Sequence, residues 1–512
     1  MAHEDETYHR TGLQDALQRI ADLMKSEQSS LDVREVLPPA EVIRRAENSL
    51  ITSLPTGGFG ADITVNHILS DIAPALNKSS LSPNYYGFVT GGYTEAAGIA
   101  DQIVSIFDQN VQVHLPKETI STVVEDRALR MLLELFDLDN AQWPGRTFTT
   151  GATASNIVGL ACAREGVLNA ALRRSKGEAI SGVGQRGIVR VCLEAGLSGF
   201  QILTTMSHSS LRKAASVIGL GRDSVVDVGS SSSPWIFDLE RLEVALRDGS
   251  KASIVAISSG EVNTGRFATT GLSEFEAIRA LCDKYGAWIH VDGAFGIFGR
   301  LLHEQEYEYI KAGCAGMELA DSIAGDAHKL LNVPYDCGFV FCRSLDIMQN
   351  VFQNSNAAYL SSSSASDIAS PLNIGIENSR RFRALPVYST LMAYGKSGYQ
   401  DMIRRQISLA RNIVRYFSTR QEYFDTLPFP SAKVETNVQN TYIIVLFRAK
   451  DESLNQELVR KINASGRMYV SGSMWEGKPA ARIAVSNWNV DLNRDTKIIQ
   501  EVLDGIIPIM GD

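Results

Sequence analysis

Long helical patterns alternate with short β-branched runs between about residues 95 and 345, and this alternation constrains the fold more than any other feature. A helix after each strand returns the chain to the same end of a sheet, so that strands run parallel and helices cover both faces. The runs predicted as strands include Gly187–Cys192, Ser253–Ile257, Ala287–Val291 and Gly338–Cys342. We therefore expect an α/β fold with a mostly parallel central sheet and a functional site at the carboxyl ends of its strands.

The segments on either side of this region have a different character. Before it come two amphipathic helical patterns, Gln14–Met24 and Ala40–Leu50, and a boundary loop, Ser82–Gly92. After Arg381, a long helical pattern leads to a tail whose predicted strands are Thr441–Leu446 and Ala481–Val485. We expect an N-terminal helical arm for dimerisation over residues 1–95, a large domain over 96–385 and a small α+β domain over 386–512.

Charge and composition exclude several classes of protein. The formal net charge is −9 and the pI about 5.5, whereas a nucleic-acid or anionic-membrane binder needs a basic face. The sequence has neither an apolar leader in Met1–Arg10 nor a run of about 18 apolar residues. The six cysteines and eight histidines form no metal-binding motif. These features predict a cytoplasmic protein with reduced thiols, no metal site, and no nucleic-acid or membrane partner.

Small and hydroxyl-bearing residues open the helical pattern that begins in Thr149–Ile157. The free N–H groups at a helix start, together with serine and threonine hydroxyls, form a cup that suits a phosphate group. An ordinary capped helix carries the same residue types, so that this segment alone does not separate the two interpretations.

Two further segments supply a carboxylate and an amine. In Ile289–Phe295 a β-branched run ends at Asp292. A carboxylate there can keep a pyridine nitrogen protonated, which makes the ring an electron sink, or it can cap the next turn. In Gly325–Gly338, Lys329 precedes an apolar stretch interrupted by glycine and proline. Partial burial would make its amine a nucleophile toward an aldehyde, whereas a surface lysine is the alternative.

The order of these segments, with Lys329 lying 37 positions after Asp292 (329 − 292), suits pyridoxal 5′-phosphate (PLP). The segments His290–Ala294, Asp326–Lys329 and Asn378–Pro386 resemble the group II PLP-dependent decarboxylases, which act on aromatic amino acids, glutamate, histidine or diaminobutyrate. The resemblance extends from about residue 80 to the C-terminus. It implies PLP fold type I, which is aspartate-aminotransferase-like, with PLP as the cofactor.

The resemblance also implies roles for individual residues. Lys329 forms the covalent link to the cofactor aldehyde, and Asp292 pairs with the pyridine nitrogen. The other implied contacts are the phosphate ligands Ala152, Thr153 and Ala154, the ring-stacking His208, Ala294 on the opposite ring face, and His328 before the lysine. For His208, a capping or core histidine is the alternative. Arg381 resembles the arginine near the substrate carboxylate, although the adjacent Arg380 could take that role.

The family's mobile catalytic loop corresponds to Asn356–Leu360 and the serine run that follows. Tyr359 matches the tyrosine that protonates the substrate carbon in the neighbouring subunit's site, and a tyrosine that merely anchors the loop is the alternative. Asn110–His114 matches a segment that lines the substrate side-chain pocket across the dimer interface. Gln112 and His114 could reach a polar or acidic substrate group or form interface hydrogen bonds, and Phe88 is a further expected substrate contact.

Two positions depart from the family pattern. Leu330 stands where many relatives have tryptophan after the lysine, so that a wall near the cofactor could be smaller. Glu261 places a charge in a stretch that is usually uncharged and passes near the cofactor.

The sequence therefore predicts a homodimeric enzyme that converts an L-amino acid to the amine and CO2. Some relatives couple decarboxylation to oxidative deamination and yield an aldehyde, often without the loop tyrosine or the stacking histidine, both of which this chain has. A catalytically silent regulatory subunit is a further alternative, which the intact Lys329, Asp292 and His208 oppose.

Overall fold

The computed structural model describes residues 14–23, 25, 35–177, 182–354 and 368–507. The strands are β1 (Tyr85–Tyr86), β2 (Gly145–Thr149), β3 (Gly199–Thr204), β4 (Val225–Asp227), β5 (Lys251–Ser258), β6 (Trp288–Asp292), β7 (Ser322–Asp326), β8 (Gly338–Cys342), β9 (Phe424–Leu427), β10 (Ile444–Ala449), β11 (Tyr469–Trp475) and β12 (Lys478–Ala484).

The helices are α1 (14–23), α2 (Ala40–Ser49), α3 (Ala61–His67), α4 (Glu95–Phe107), α5 (Ser121–Leu135), α6 (Ala152–Lys176), α7 (Val183–Arg186), α8 (Ile188–Glu194), α9 (Ser209–Val217), α10 (Leu239–Leu246), α11 (Leu272–Tyr285), α12 (Glu308–Cys314), α13 (Ala327–Leu330), α14 (Leu345–Phe352), α15 (Ala384–Ser418), α16 (Val434–Gln439), α17 (Glu452–Ala464) and α18 (Leu492–Asp504).

The central sheet confirms the predicted α/β fold. Its seven strands lie in the order β2-β8-β7-β6-β5-β3-β4. The neighbouring strands β7, β6, β5, β3 and β4 all run parallel to one another. The strand β8 runs antiparallel to both of its neighbours, β2 and β7. The predicted strands Ser253–Ile257, Ala287–Val291 and Gly338–Cys342 lie in β5, β6 and β8. These strands are nearly continuous apolar runs because helices cover both faces of the sheet.

The predicted strand Gly187–Cys192 is wrong, because these residues enter the helix α8. Their β-branched residues favour a strand, but only Val191 of this helix is buried, and Val189 and Leu193 are exposed. The strand of this region is β3, which pairs with β4 on one side and β5 on the other. Intrinsic β-propensity therefore did not decide which segment forms a strand here. The availability of two partner strands did.

The core of the large domain contains many aromatic rings on one side of β8. Phe136 packs edge-on against Phe298 with ring centroids 5.1 Å apart, and it stacks on Phe339 at 5.9 Å. All three side chains are fully buried. The strand ends that carry the candidate site residues are therefore set on a rigid, close-packed base.

A second sheet has the strand order β1-β11-β12-β10-β9, and all of its strands except β1 lie in the range predicted as the small domain. Two predicted strands of this domain are confirmed with shifted bounds: Thr441–Leu446 overlaps β10, and Ala481–Val485 overlaps β12. β1 comes from the predicted N-terminal arm but pairs parallel with β11, and the rings of Tyr85 and Tyr469 stack at 4.7 Å.

The long helix α15 begins at Ala384, next to the predicted boundary at residue 385, and packs against α4 and α5 as well as against β9 and β10 of the second sheet. It is interrupted at Gly395, whose φ of 57° suits glycine. Within the ranges that the structure describes, no helix is long and apolar enough to cross a membrane.

Candidate active site

The carboxyl ends of the parallel strands open onto a cavity of about 540 Å³. Asp292 ends β6, Lys329 follows β7, and His208 follows β3, so that one edge of the sheet presents all three. The N-terminus of α6 follows β2 and reaches the same cavity. The sheet thus collects residues that are far apart in sequence, as expected at the carboxyl edge of such a fold.

The first turn of α6 forms one wall of the cavity. Thr150, Gly151, Ala152, Thr153 and Ala154 all line it. The helix starts with a hydrogen bond from the Ser155 amide to the Gly151 carbonyl oxygen (2.9 Å), which leaves the Thr153 and Ala154 amides without an intrahelical acceptor. A helix start with free N–H groups is a suitable binding site for a phosphate group.

Lys329 lies beside this wall and is held by Asp326. The amine is 2.9 Å from Oδ2 of Asp326, whose Oδ1 accepts a hydrogen bond from the Ala152 amide at 2.5 Å. The amine also lies 5.8 Å from the centre of the Phe295 ring, which lines the cavity. Asp326 therefore connects the lysine to the first turn of α6, a role that the sequence analysis did not assign to it.

Asp292 is partly buried, and both of its carboxylate oxygens have a donor. The Ala294 amide donates to Oδ1 at 3.2 Å, and the Asn156 side-chain amide donates to Oδ2 at 2.9 Å. Because the residue also lines the cavity, its carboxylate can accept a further hydrogen bond from a ligand there. Ala294 lines the same part of the cavity.

His208 both caps α9 and opens onto the cavity. Its Nδ1 lies 3.2 Å from the Ser210 amide and 2.8 Å from the Ser210 hydroxyl. Partial loss of its water shell lowers the pKa of the imidazole, and the negative charge of Asp292 opposes this shift. The two interpretations of this residue, a helix cap and a cavity residue, are therefore compatible.

His328 also lines the cavity, and its Nδ1 accepts a hydrogen bond from the Cys337 amide at 3.1 Å. Its ring centre lies 4.3 Å from that of Tyr335. Burial lowers the pKa of this histidine, and Asp326 opposes the shift.

These donors and acceptors fit PLP. The free N–H groups suit its phosphate, the Asp292 carboxylate suits its pyridine nitrogen, and the Lys329 amine suits its aldehyde. The model of the pyridoxal-dependent decarboxylase conserved domain matches residues 65–438, which is most of the chain. The chain belongs to the pyridoxal-dependent decarboxylase family. PLP is therefore its cofactor and amino-acid decarboxylation its reaction, which confirms the predicted family, cofactor and enzyme class.

Relatives of this decarboxylase share its fold at low sequence identity. The chain is 22% identical over 512 residues to tryptophan decarboxylase 1 of Oryza sativa subsp. japonica, with 95% of this chain and 92% of the relative covered. It is 24% identical over 412 residues to aspartate 1-decarboxylase of Aliivibrio fischeri, with 78% and 70% covered. A crystal structure of Oryza sativa TDC with PLP and tryptamine superposes with a TM-score of 0.78 at 21% identity, with 96% and 97% covered.

Of the four predicted substrate contacts, one lines the cavity of this chain and three do not. Phe88 lines the cavity and is 61% exposed. His114 is buried against Thr122, with Nδ1 2.7 Å from the hydroxyl oxygen. The main-chain carbonyl oxygen of Gln112 accepts a hydrogen bond from the Leu372 amide at 3.1 Å. Arg381 pairs with Asp101 at 2.7 Å. These last three do not line the cavity of the single chain, and Tyr359 lies outside the described residues.

Arg380 is likewise remote from the cavity, because it forms a buried ion pair with Glu125 at 2.8 Å. Leu330 packs in the core, and no part of it lines the cavity. Glu261 is buried, and its carboxylate accepts hydrogen bonds from the amides of Asn263 (2.9 Å) and Thr264 (2.8 Å). Its charge therefore holds a loop, while the neighbouring Gly260 and Val262 face the cavity.

Arg482 is a cavity residue that the sequence analysis missed. It projects from β12, is buried, and donates from Nη1 to the Val262 carbonyl oxygen at 2.8 Å. Its Nε has no acceptor within the described part of the chain. Burial lowers the pKa of its guanidinium, and Glu261 opposes the shift. The available signal was an arginine inside the apolar predicted strand Ala481–Val485, since such a buried cation usually has a partner.

The described residues contain no group of three or more His, Cys, Asp or Glu side chains arranged to bind a metal ion.

Proposed function

We propose that this enzyme converts an L-amino acid to its amine and CO2, with Lys329, Asp292 and His208 as catalytic residues. The observation that supports the proposal best is that these three residues, the α6 N-terminus and Arg482 all line one cavity. When bound, PLP supplies a protonated pyridine ring that withdraws the electrons of the bond being broken. The protein must therefore bind the cofactor, orient the substrate and return one proton.

The cofactor-binding roles follow from the donors and acceptors that each residue presents. Lys329 holds the aldehyde, and Asp292 keeps the pyridine nitrogen protonated because a carboxylate favours the charged form of a neighbouring base. His208 and Ala294, which both line the cavity, would contact the two faces of the ring. The amides of Ala154 and Thr153, with Ala152 beside them, bind the phosphate, and His328 supports the lysine turn.

Arg482 is the residue that we propose for the substrate carboxylate. Arg482 lines the cavity, and a carboxylate is the natural two-point partner of a guanidinium. Ser471 lies directly opposite it in the β11–β12 register, and its hydroxyl oxygen is buried with no partner among the described residues. Two unsatisfied polar atoms on one wall favour a polar substrate group there. Arg381, paired with Asp101 outside the cavity, could serve the substrate only across a subunit interface.

A substrate carboxylate fixed at Arg482 decides which bond of the substrate breaks. Because the position of the substrate selects which of its bonds breaks, a carboxylate held at Arg482 would favour decarboxylation over other reactions. We propose that the Tyr359 hydroxyl then delivers the proton to Cα and that loop closure excludes water and oxygen. Delivery of that proton gives the amine. If the proton is not delivered, oxygen can attack the unprotonated Cα.

We further propose that the active unit is a homodimer in the cytoplasm. Gly91, just before the helix α4, packs on the Lys329 carbonyl. The outer face of α4 is apolar. Ile99, Ile106 and Phe107 on that face are 59%, 77% and 70% exposed. An exposed apolar face of this kind is typical of an association surface, and a second copy of the chain would cover it. All six cysteines are free thiols, which suits a reducing compartment.

The test is a product assay on the purified, PLP-loaded protein. The enzyme is incubated with one L-amino acid at a time, chosen from those found in proteins and from non-protein ones. The amounts of CO2, amine and hydrogen peroxide are measured, and Lys329→Ala is the control. The proposal expects one substrate class to give CO2 and amine in equal amounts. Aldehyde and peroxide in place of amine would contradict the proposed product. The absence of CO2 with every substrate, from a protein that binds PLP, would contradict the proposed activity.

A further inference from the structure

A chain of hydrogen bonds connects Asp292 and His208, two of the residues that we assign to the cofactor ring. Its central member is Asn156 on α6, whose side chain is fully buried. The Asn156 Nδ2 atom lies 2.9 Å from Asp292 Oδ2 and 3.3 Å from the Ser210 hydroxyl oxygen. Its Oδ1 lies 2.9 Å from Nε2 of His290. One side chain thus contacts Asp292 itself, His290 in the sheet, and Ser210, which is the partner of His208 on α9.

Chemistry permits only one orientation of the Asn156 amide. A carboxylate oxygen accepts hydrogen bonds and cannot donate one when ionised, so the group facing Asp292 must be the amide nitrogen. Its two hydrogens then serve Asp292 and Ser210. The amide oxygen consequently faces His290, whose Nε2 must carry the hydrogen of that bond.

His290 is consistent with this assignment. Its Nδ1 lies 2.8 Å from the Ser322 hydroxyl, which also receives a hydrogen bond from the Trp288 indole at 2.9 Å. Ser322 can therefore donate to Nδ1, which is unprotonated. Burial lowers the pKa of His290 to about 4, so that the ring is neutral at physiological pH. Each polar atom of this buried group has a complementary partner, which fixes its geometry.

The same chain fixes the tautomer of His208. The Ser210 oxygen accepts from Asn156, so its own hydrogen is free to point at His208 Nδ1, 2.8 Å away. The Ser210 amide donates to that same nitrogen at 3.2 Å. Two donors at Nδ1 require a lone pair there, and the hydrogen of the neutral imidazole must lie on Nε2, which is the ring nitrogen left for the cavity.

We propose that Asn156 is a positioning residue that orients the Asp292 carboxylate toward the pyridine nitrogen and, through Ser210, holds His208 as the neutral Nε2–H tautomer. The proposal rests on the proposed roles of Asp292 and His208. It gives the second turn of α6 a function separate from the phosphate wall at its first turn. It also means that the Asn156 side-chain amide fixes the orientation of Asp292, the group for the ring nitrogen, and the tautomer of His208, the group for the ring face.

The first test is a binding experiment on the apo protein. We compare the affinity for PLP with that for its 1-deaza analogue, in which C–H replaces the pyridine nitrogen, in wild type and Asn156→Leu. Loss of a hydrogen bond to a charged acceptor corresponds to about a 10- to 100-fold change in an equilibrium constant. We expect PLP affinity to fall by that factor and deaza affinity to change by less than about threefold, because only PLP can pair with Asp292.

Asn455→Leu is the matched control. Asn455 on α17 is also buried, donates to the Pro479 carbonyl oxygen at 3.0 Å and accepts from the Ala449 amide at 3.1 Å, but lies in the small domain away from the cavity. It should leave both affinities unchanged. Equal losses for PLP and its analogue in Asn156→Leu would overturn the proposal, since a merely structural role predicts them. If wild type binds PLP and the analogue equally, the Asp292 role itself fails, and the proposal fails with it.

The second test reads the wild-type protein directly and uses a variant only to assign signals. Solid-state ¹⁵N spectra of histidine-labelled apo protein distinguish the two neutral tautomers and the imidazolium, and His208→Gln identifies the His208 signals. We expect His208 as the neutral Nε2–H form at pH 7.5. An Nδ1–H form or an imidazolium would contradict the hydrogen-bond chain, whatever the binding experiment gives.

Discussion

Replacing Arg380 with methionine should destabilise the large domain far more than the same replacement of its neighbour Arg381. The Arg380 side chain is 2% exposed, and its guanidinium donates to both carboxylate oxygens of Glu125, at 3.0 and 2.8 Å, and to the Thr147 hydroxyl at 3.3 Å. Glu125 is 5% exposed. Methionine would fill much of the space but leave a buried carboxylate without its cation.

The expected size of the effect follows from this burial. Removal of one partner of a buried ion pair costs about 3–5 kcal/mol, whereas the Arg381–Asp101 pair, with side chains 37% and 30% exposed, contributes at most about 1 kcal/mol. For a 512-residue chain with an unfolding entropy of about 2.1 cal/mol/K per residue, 1 kcal/mol lowers the Tm by roughly 1 °C. Arg380→Met should therefore lower the Tm by about 3–5 °C and Arg381→Met by about 1 °C or less.

Scanning calorimetry of the apo proteins measures these shifts, and two further comparisons identify the cause. The double variant Glu125→Leu/Arg380→Met removes both charges and should recover most of the lost stability. Burial raises the pKa of Glu125 and Arg380 opposes this, so Arg380→Met raises it further. A carboxyl whose pKa is raised in the folded state loses stability as the pH rises, and the defect should be smaller at pH 5 than at pH 8. Equal Tm values for the two single variants would refute this reasoning.

Three predictions concern activity. Tyr359→Phe removes the proposed acid, so amine release should fall by about two orders of magnitude or more. The release of CO2 should fall less, and aldehyde, ammonia and peroxide should appear. An unchanged amine yield without peroxide would contradict this prediction. Mixed dimers of Lys329→Ala and Tyr359→Phe should regain part of the activity, because one hybrid site has both residues, and no recovery would argue against a loop acting in the partner's site. Arg482→Met should lower kcat/KM about 10- to 100-fold with PLP affinity unchanged, whereas an equal loss of PLP affinity would make Arg482 a cofactor residue.

The sequence predicted those parts of the structure that depend on local pattern. The alternation of helix and strand predicted the central sheet. The phosphate cup, Asp292 and Lys329 were predicted to share a site, and they line one cavity because each lies within a few residues of a strand end. The predicted strand Gly187–Cys192 failed because pairing partners decide where a short β-branched run can form a strand.

Contacts between distant residues could not be read from the sequence in the same way. Arg482 reaches Val262 across 220 positions, from the small domain to the large one, and no spacing rule connects the two. Asn156 stands inside the segment that was recognised as a phosphate cup, yet its partner Asp292 is 136 positions away. The motif therefore identified the right segment while the role of one of its buried residues emerged only from the fold.

The covalent attachment of PLP to Lys329 is the claim that supports the whole account of the site. Borohydride reduction of the PLP-loaded protein, followed by digestion and mass spectrometry, reports the labelled residue directly. We predict a pyridoxyl group on Lys329 in the wild type and none on the corresponding peptide of Lys329→Ala. A label on a different lysine, or no label on a protein that contains PLP, would contradict the account.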